Sequence, residues 1–362
     1  MFPRYKKATM IQSRQTSLRR MYLFILFIML ALGLTGCTTP PVTQTSLPES
    51  GQPLIEVFFT DAGGSNRQPE AELAIIRAID AAQRSVDLAM YNLSLDSVGD
   101  ALIRASQRGV VVRLVLDYDA LDSGLVAKLE QQNIPIVTSA PENLMHNKFT
   151  VIDQAEVWTG SLNLSAGAYT DLNNLVVIQS AEAAQDYTVE FEEMFLDHKF
   201  GSQSGQDTPF PAFKVGNTPV EVYFSPDDGV QDRLVQLVEA ANDQIDFLAY
   251  SFTQDDLADA MLDRDRKGIE VRGVLDAEQA ASNIGGEYER LADAGLDVRL
   301  DNYSGLMHHK VIVIDHQIVI FGSYNFSRAA ETKNDENVMI IDDAAIAQLF
   351  EHEFEDIYAH SQ

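Results

Sequence analysis

The second half of the chain repeats the first, and this duplication limits the folds that the sequence can adopt. The stretch 86–91 (VDLAMY) returns as 245–250 (IDFLAY), at a shift of 159 residues. Asp117 returns as Asp276 at the same shift. A period of about 160 residues is as long as a domain, so the pattern indicates a duplicated domain rather than a solenoid of short repeats.

Helix-like and strand-like patterns alternate within each half. In the first half, residues 73–83 have helical spacing, and residues 86–91 form a short apolar run that is typical of a buried strand. Residues 98–108 are again helical, Gly109 ends that helix, and a second apolar run follows over 110–116. This order predicts an α/β domain with a largely parallel sheet in each half, the two halves being related by a pseudo-two-fold axis.

Two segments rich in turn-forming residues mark the borders of the halves. Residues 38–53 and residues 201–218 contain Pro, Gly, Ser and Thr without apolar periodicity. We therefore expect a first repeat over 54–200 and a second over 219–362, with 201–218 as the linker between them. The segment 37–53 is expected to be a tether.

The N-terminus has the pattern of a secretory signal. Six basic residues and no acidic ones accompany an apolar run over 21–34, which is shorter than the ~20 residues that a membrane-crossing helix needs. Leu34-Thr35-Gly36-Cys37 resembles the lipobox of bacterial lipoproteins, in which the cysteine is acylated. We expect a signal peptide over 1–36, lipidation at Cys37 and an anchored protein in the cell envelope, on the outer membrane or periplasmic side or on the extracellular face. The alternative is an uncleaved signal anchor.

Charge and cysteine content limit the kinds of site that the chain can have. Without residues 1–36 the chain has 20 basic and 54 acidic residues, a net charge of −34. A surface this acidic repels nucleic-acid backbones and anionic lipids, so an anionic substrate needs a local basic pocket. The sole cysteine excludes an intrachain disulfide and a cysteine-rich zinc site.

One block with the pattern H-x-K-x4-D-x6-G-S-x-N occurs in both halves. The first copy contains His146, Lys148, Asp153, Ser161 and Asn163. The second copy contains His308, Lys310, Asp315, Ser323 and Asn325. Two matches in register within a duplicated chain make coincidence a poor explanation.

These residue types suit the cleavage of a phosphodiester. Neutral histidine can attack phosphorus, and histidinium can protonate a leaving alkoxide. Two lysines, with Ser and Asn as neutral donors, can stabilise the charge on the phosphate oxygens. No further cluster of His with Asp or Glu at metal-ligand spacing is evident in the sequence, so we expect a reaction without metal or other cofactor.

Strand alternation separates the residues of each block. His146 and Lys148 share a face, because side chains of a strand alternate with period two. Asp153 and Asp315 fall on the opposite face, so we expect them to anchor the strand ends by hydrogen bonds. By the same parity His309 points away from His308 and is expected to be structural.

The paired blocks resemble those of the phospholipase D superfamily, and the resemblance covers roughly residues 54–362. It implies two homologous α/β domains with mixed sheets flanked by helices, an active site at their interface and a phosphohistidine intermediate. It also implies that His146 is the nucleophile and His308 the general acid. We expect a monomer whose two halves form an intramolecular pseudo-dimer.

One further segment, Asn334-Asp335-Glu336-Asn337-Val338, is similar to a segment in small bacterial nucleases of this superfamily. There the glutamate orients the histidine of its own motif, so the resemblance implies that Glu336 hydrogen-bonds His308. Asn173 stands at the equivalent position of the first half. Because an amide lacks the charge of a carboxylate, we expect His308 to have the higher pKa of the two histidines.

Three function classes are compatible with the sequence. The first is a phospholipase D-type enzyme that hydrolyses phospholipids or transfers their headgroups, which membrane tethering favours. The second is a nuclease acting on DNA or RNA, which the nuclease-like segment favours and the acidic charge disfavours. The third is a catalytically inactive, membrane-anchored binding protein. The substrate or partner is accordingly a phospholipid or membrane surface, with nucleic acid as the alternative.

Several other residues are given a structural role. The aromatic residues Tyr91, Trp158, Tyr250 and Phe252 are expected in the core. The remaining histidines are expected to be ordinary surface residues: His198, His316, His352 and His360.

Overall fold

A computed structural model of the chain describes residues 53–62 and 69–362. The predicted signal peptide, the lipidation site Cys37 and all of the predicted tether except Pro53 lie outside the described residues. The described residues belong to one compact unit. Within the described ranges, no helix combines the length and the hydrophobicity that crossing a membrane would require.

The first half forms a seven-stranded sheet in the order β1-β7-β6-β5-β2-β3-β4. Its strands are β1 (Ile55–Phe59), β2 (Ser85–Met90), β3 (Val111–Leu116), β4 (Ile136–Thr138), β5 (Lys148–Ile152), β6 (Glu156–Gly160) and β7 (Asn174–Gln179). Its helices are α1 (Glu70–Ala81), α2 (Asp96–Gln107), α3 (Ser123–Glu130) and α4 (Ala181–Phe195). A short 3-10 turn, Ala166–Tyr169, precedes β7.

The second half forms an eight-stranded sheet in the order β12-β11-β10-β13-β14-β15-β9-β8. Its strands are β8 (Ala212–Val215), β9 (Thr218–Ser225), β10 (Gln244–Ala249), β11 (Glu270–Leu275), β12 (Asp297–Leu300), β13 (Lys310–Ile314), β14 (Ile318–Gly322) and β15 (Glu336–Asp342). Its helices are α5 (Val230–Ala240), α6 (Asp255–Arg266), α7 (Ala277–Ser282), α8 (Tyr288–Ala294), α9 (Arg328–Thr332) and α10 (Ala344–His360).

The two halves pack through a shared hydrophobic core. Helices α4 and α10 lie between the sheets, and α4 contacts β5 and β6 of its own sheet as well as β9 of the other. Its inward face carries Ala183, Tyr187, Phe191 and Met194, whose spacing of three or four residues puts them on one side of the helix. Two further cores fill the outer faces, under α1–α3 in one half and under α5, α6 and α8 in the other. The layers alternate helix, sheet, helix, sheet, helix. The central helix layer packs against both sheets, so the two halves share one buried core.

The sheets are mixed rather than largely parallel. Only β2-β3-β4 and β10-β11-β12 run parallel, whereas the remaining strand pairs are antiparallel. The expectation of a largely parallel sheet was wrong because it rested on the helix-linked strands alone. The hairpins β5-β6 and β13-β14 turn through Asp153-Gln154 and Asp315-His316, all with φ between 53° and 56°. Two consecutive residues of positive φ suit the central pair of a type I′ turn, which the N–H groups of Ala155 and Gln317 close on the carbonyls of Ile152 and Ile314.

The predicted linker contributes to the second sheet. Residues 201–218 contain the 3-10 turn Gly201–Gln203 and strand β8, which pairs antiparallel with β9. The turn-forming composition of the linker gave no sign of this four-residue edge strand, whose hydrogen-bonding partner is β9.

Candidate active site

The two motif histidines lie at the junction of the halves, and each is held there by backbone of the other half. His146 precedes β5, and its N–H donates to the carbonyl of Asp335 (3.0 Å). His308 precedes β13, and its N–H donates to the carbonyl of Leu172 (2.9 Å). Both side chains are buried, each being 7% exposed. We call these two equivalent hydrogen bonds crossed contacts, because each joins a histidine of one half to the backbone of the other, and the pseudo-two-fold axis passes between them.

The imidazole rings are oriented by the same crossed arrangement. His146 donates from Nδ1 to Glu336 Oε2 (2.7 Å), and His308 donates from Nδ1 to Asn173 Oδ1 (2.8 Å). The prediction that Glu336 bonds His308 was therefore wrong. Glu336 begins β15, next to the Asp335 carbonyl that already binds the His146 backbone, so its carboxylate faces the histidine of the opposite half. With Nδ1 protonated in both rings, each Nε2 is the nitrogen free for chemistry.

The pKa values of the two histidines differ in the opposite order to the expected one. Burial lowers the pKa of His146, and the Glu336 carboxylate partly reverses this effect. Burial lowers the pKa of His308 well below its usual value, and the charges of Lys310, Lys148 and His146 lower it further. The ring beside the carboxylate keeps the higher proton affinity. The expectation that His308 has the higher pKa was wrong because it assigned Glu336 to the wrong ring.

The motif lysines are buried beneath the histidines. Lys148 donates from Nζ to the carbonyl of His146 and Lys310 donates from Nζ to the carbonyl of His308, both at 2.7 Å. Burial lowers the pKa of Lys148 to about 7, and burial together with the charge of Lys148 lowers the pKa of Lys310 well below its usual value. An anion bound beside the two lysines would raise both pKa values again, because it favours the protonated ammonium form.

Two tyrosines cover the motif side chains. Tyr91 lies against His146 with ring centroids 4.9 Å apart, and Tyr250 lies against His308 at 4.6 Å. The lysine of each motif lies over the ring of the same tyrosine. Both tyrosines are only partly buried, so the prediction that they belong to the core was wrong. Their place directly after β2 and β10, at the strand ends that face the junction, was the signal in the sequence.

The Gly-Ser-x-Asn part of each motif brings its strand close to the neighbouring strand. Ser161 donates from Oγ to Asn173 Oδ1 (3.1 Å) and accepts from the N–H of Asn174 (3.1 Å). A Cβ at Gly160, where φ is 154°, would collide with the carbonyl of Asn174. Ser161 thus fixes the amide that orients His308, which is a positioning role that sequence reasoning did not assign.

The second copy of this segment is similar but not identical. Ser323 accepts from the N–H of Asn337 through Oγ (3.0 Å). The side-chain oxygens of Asn163 and Asn325 are buried and have no hydrogen-bond partner within the part of the chain that the structure describes. Two equivalent orphaned amides beside the motif are available to a bound molecule or to water.

The motif aspartates lie away from the histidines, as the strand parity predicted. Asp153 accepts from the N–H groups of Gln83, Arg84 and Ser85, at 2.6–3.2 Å. Asp315 accepts in the same way from 242–244, at 2.8–3.2 Å. These bonds anchor each hairpin to the start of the adjacent strand, so the prediction of a local anchoring role is confirmed.

His309 also has the structural role expected from its parity. Its side chain is fully buried and bonds Asn174 Nδ2 (3.0 Å) and Glu353 (3.2 Å). On the other side of the junction Asn337 donates to Asn147 (2.8 Å). These contacts join the halves through polar side chains next to the site.

Two aspartates that sequence reasoning left unassigned fix the turns before the histidines. Asp117 accepts from the N–H of Met145 (3.0 Å), and Asp276 accepts from the N–H of Met307 (3.1 Å). Their recurrence at the shift of 159 residues was a usable signal.

The remaining assignments of aromatic and histidine residues hold. Trp158 and Phe252 are buried. The histidines expected at the surface are exposed: His198, His316, His352 and His360. Within residues 53–62 and 69–362, no group of three or more His, Cys, Asp and Glu side chains could hold a metal ion.

Comparisons with known proteins agree with this geometry. The family model described as "Cardiolipin synthase, PLD-like domain" matches residues 75–195 and again 234–358. A phospholipase D of Rickettsia prowazekii is 30% identical over 163 residues, which cover 45% of this chain and 79% of that protein. A mitochondrial cardiolipin hydrolase of Chlamydomonas reinhardtii is 32% identical over 126 residues, covering 35% of this chain and 56% of the relative.

The whole fold is also known from a solved structure. The phosphatidylserine synthase of Haemophilus influenzae Rd KW20 superposes with a TM-score of 0.65 over 85% of this chain and 87% of that one, at 15% identity. The double match of the family model, together with the paired histidines and lysines at one junction, establishes that the chain belongs to the phospholipase D superfamily and is a phosphodiesterase of that class.

Proposed function

We propose that the protein hydrolyses the headgroup phosphodiester of a phospholipid, through a phosphohistidine on His146 and without a metal ion. The observation that carries the proposal is the unequal pair of ring partners, Glu336 on His146 and Asn173 on His308. A carboxylate stabilises the positive charge that an imidazole gains when it attacks, so it belongs beside the nucleophile.

In the first step, the Nε2 lone pair of His146 attacks phosphorus. The bond between phosphorus and the leaving alcohol oxygen breaks, and Nε2–H of His308 gives that oxygen its proton. Lys148 and Lys310 stabilise the nonbridging oxygens. Glu336 holds the Nδ1 proton of His146 and balances the charge of the phosphorylated ring.

In the second step, His308 takes a proton from water, and the water oxygen attacks phosphorus. The bond between phosphorus and Nε2 of His146 breaks, which releases the phosphate monoester. His308 must enter the cycle protonated, although its pKa in the free site is low. The negative charge of a bound phosphodiester raises that pKa, so binding itself supplies the protonated acid.

Two observations favour a lipid over a nucleic acid. Two of the relatives are named as a phospholipase D and a mitochondrial cardiolipin hydrolase. The net charge of −34 expected after removal of residues 1–36 repels the long polyanion that a nuclease must bind. Nuclease activity is the second candidate, because the segment 334–338 resembles that of small bacterial nucleases.

The test is a parallel assay of residues 38–362, which include the whole compact unit, on phosphatidylcholine, cardiolipin, single-stranded DNA and RNA with EDTA present. We expect release of headgroup alcohol from lipid and no loss of rate with EDTA. Turnover of nucleic acid alone would overturn the lipid proposal and favour nuclease activity. Loss of all activity in EDTA would overturn the proposal of a reaction without metal.

Trapping tests the assigned roles of the histidines. In His308→Ala the first step can still proceed on a substrate with a good leaving group, so quenching in detergent at neutral to mildly alkaline pH, where the P–N bond survives, should recover a phosphoenzyme. His146→Ala should yield none, and each variant should lose several decades of kcat, about 10³-fold or more. Phosphoenzyme in His146→Ala but not in His308→Ala would reverse the two roles.

We propose further that Cys37 anchors the mature protein to the cell envelope, and that it works there as a monomer because both motif copies lie in one chain. Cys37→Ser should abolish incorporation of labelled palmitate into the protein. Light scattering of residues 38–362 should give the mass of one chain, and a dimer mass would contradict the second part.

A further inference from the structure

Two apolar side chains stand exposed on loops that border the active site, one in each half. Tyr118 follows β3 and is 49% exposed, and Ile284 follows α7 and is 100% exposed. We define the first rim loop as residues 117–122 and the second as residues 276–287, a connection that includes the short helix α7. Each loop begins at the carboxyl end of a parallel strand, β3 or β11.

The first rim loop is joined directly to the nucleophile's segment. Its first residue, Asp117, accepts from the N–H of Met145, which immediately precedes His146. The N–H of Tyr118 donates to Ser139 Oγ, which in turn donates to Asp117. Tyr118 is therefore held at the edge of the site by a short chain of hydrogen bonds.

The second rim loop is joined to the other histidine in two ways. Asp276 accepts from the N–H of Met307, the residue before His308. Asn283, next to Ile284, donates to Ser251 Oγ (3.0 Å), and Ser251 follows the tyrosine that packs on His308. Ile284 thus projects into solvent from a turn that is fixed to the wall of the site.

The position of these two side chains distinguishes them from other exposed apolar residues. Val111 is 58% exposed but lies at the opposite end of β3, away from the histidines. Single exposed apolar residues are common on protein surfaces. A pair on the two loops that border one active site is the arrangement by which a soluble domain can engage a lipid interface.

The charge of the rim loops limits the kind of surface that they can meet. The sequences are DYDALD and DAEQAASNIGGE, which contain acidic residues and no Lys or Arg. Carboxylates at an interface are repelled by anionic lipid and by nucleic-acid phosphates. A bilayer of zwitterionic phospholipid presents no such net charge, and Tyr and Ile can enter its interfacial zone.

We propose that the two rim loops form an interfacial binding surface which inserts Tyr118 and Ile284 into a zwitterionic phospholipid bilayer and so sets the active-site opening against the headgroups. This inference rests on the proposed phospholipid activity. It adds a membrane surface that the motif residues do not provide.

The first test measures insertion directly. In residues 38–362, Ile284→Trp places a reporter in the second rim loop, and the native Trp158 is buried. Phosphatidylcholine vesicles with brominated acyl chains should quench the new fluorescence, whereas Val111→Trp at the far end of β3 should not respond. Equal quenching of both variants, or of neither, would overturn the proposal.

The second test measures binding and turnover. Ile284→Ser should weaken partition onto phosphatidylcholine vesicles about tenfold, which corresponds to partial burial of one Ile side chain, while Val111→Ser should stay within about twofold of the parent. The ratio of the rate on vesicles to the rate on bis(p-nitrophenyl) phosphate should fall in parallel for Ile284→Ser. Anionic phosphatidylglycerol in the vesicles should weaken binding at low salt, and added salt should remove this difference.

These readouts separate the two proposals. Partition that depends on Ile284 but without lipid cleavage would overturn the proposed function and support the surface. Cleavage of detergent-dispersed phosphatidylcholine without any effect of Ile284→Ser on vesicle binding would overturn the surface alone.

Discussion

Two side chains of similar size give the two imidazole rings different chemistry. Glu336 and Asn173 both accept the Nδ1 proton of a histidine, at 2.7 and 2.8 Å. Only the glutamate carries charge, and this difference leaves His308 with the lower pKa. The rings are thereby distinguished by their partners, while their own strands, lysines and tyrosines are nearly equivalent.

Replacement of Glu336 by Gln tests the charge separately from the hydrogen bond, because the amide oxygen can still accept from His146. The pKa of His146 should fall further, since the carboxylate that raises it is removed. We expect kcat to fall about 100-fold, the scale of a general acid–base contribution. NMR titration of His146 and steady-state kinetics provide the measurements. An unchanged kcat would contradict the assigned role of the carboxylate.

Asn173→Asp makes the complementary change at the other ring. A carboxylate beside His308 stabilises imidazolium, so the pKa of His308 should rise. If His308 acts as the acid, its protonated form then persists to higher pH. The alkaline limb of the kcat/KM profile should move upward in pH, and the profile of Ser161→Ala, which retains a neutral partner, should not move in that direction. A shift to lower pH would argue against His308 as the acid.

At the scale of elements, the hairpins that follow the motif lysines depend on one carboxylate each. Asp153 binds three successive backbone N–H groups and itself occupies a positive φ of 54°. Sequence parity could predict this role, because period-two alternation holds within a strand. It could not predict strand β8, whose short edge segment has too few residues for a period to be visible.

Asp153→Ala should lower the free energy of unfolding by about 1–3 kcal/mol, because three backbone N–H groups, one of them partly buried, lose their acceptor and alanine tolerates positive φ poorly. Asp153→Asn should cost less, since asparagine adopts positive φ readily and keeps one acceptor oxygen. Urea denaturation of both variants gives the comparison. Equal losses for the two variants would show that the backbone anchor is not the cause.

At the scale of the whole molecule, the junction of the halves contains buried acids. Asp335 is fully buried, and burial raises its pKa to about 8, with Glu336, Asp227 and Glu193 contributing. Burial likewise raises the pKa of Asp227 and of Asp186 to about 7. An unfolded Asp titrates near ~3.9, so the folded protein holds extra protons between about pH 4 and 8.

The contribution of these acids to the unfolding free energy should fall as pH rises from about 4 to 8, since the folded state must release their protons. The buried histidines and lysines of the site have lowered pKa values and contribute in the opposite sense, so the contribution of one acid is measured by comparing the parent with a variant of that acid. Asp335→Asn cannot ionise and keeps an oxygen that can accept from Gly201 N–H. We expect this variant to be more stable than the parent at pH 8 by on the order of 1–3 kcal/mol, with the difference vanishing near pH 4. Urea denaturation at both pH values measures it, and a pH-independent difference would contradict the linkage.

The hydrogen-bond partners at the junction could be predicted only in part from the sequence. The duplication and the paired motifs predicted two α/β halves with His146 and His308 at one interface, because spacing within a motif is a local property. The partner of each ring was not predictable in this way. Asn173 and Glu336 occupy equivalent positions, and only the packing of one half against the other decides that each faces the opposite histidine.

Because each histidine is oriented by residues of the other half, the fusion of the halves affects which substitutions are possible beside each ring. If two identical chains paired in the same way, every substitution beside one ring would be copied beside the other. Fusion into one polypeptide removes that constraint, because the surroundings of His146 and His308 are then encoded separately. One substitution beside either ring can therefore give the two histidines different roles in the reaction.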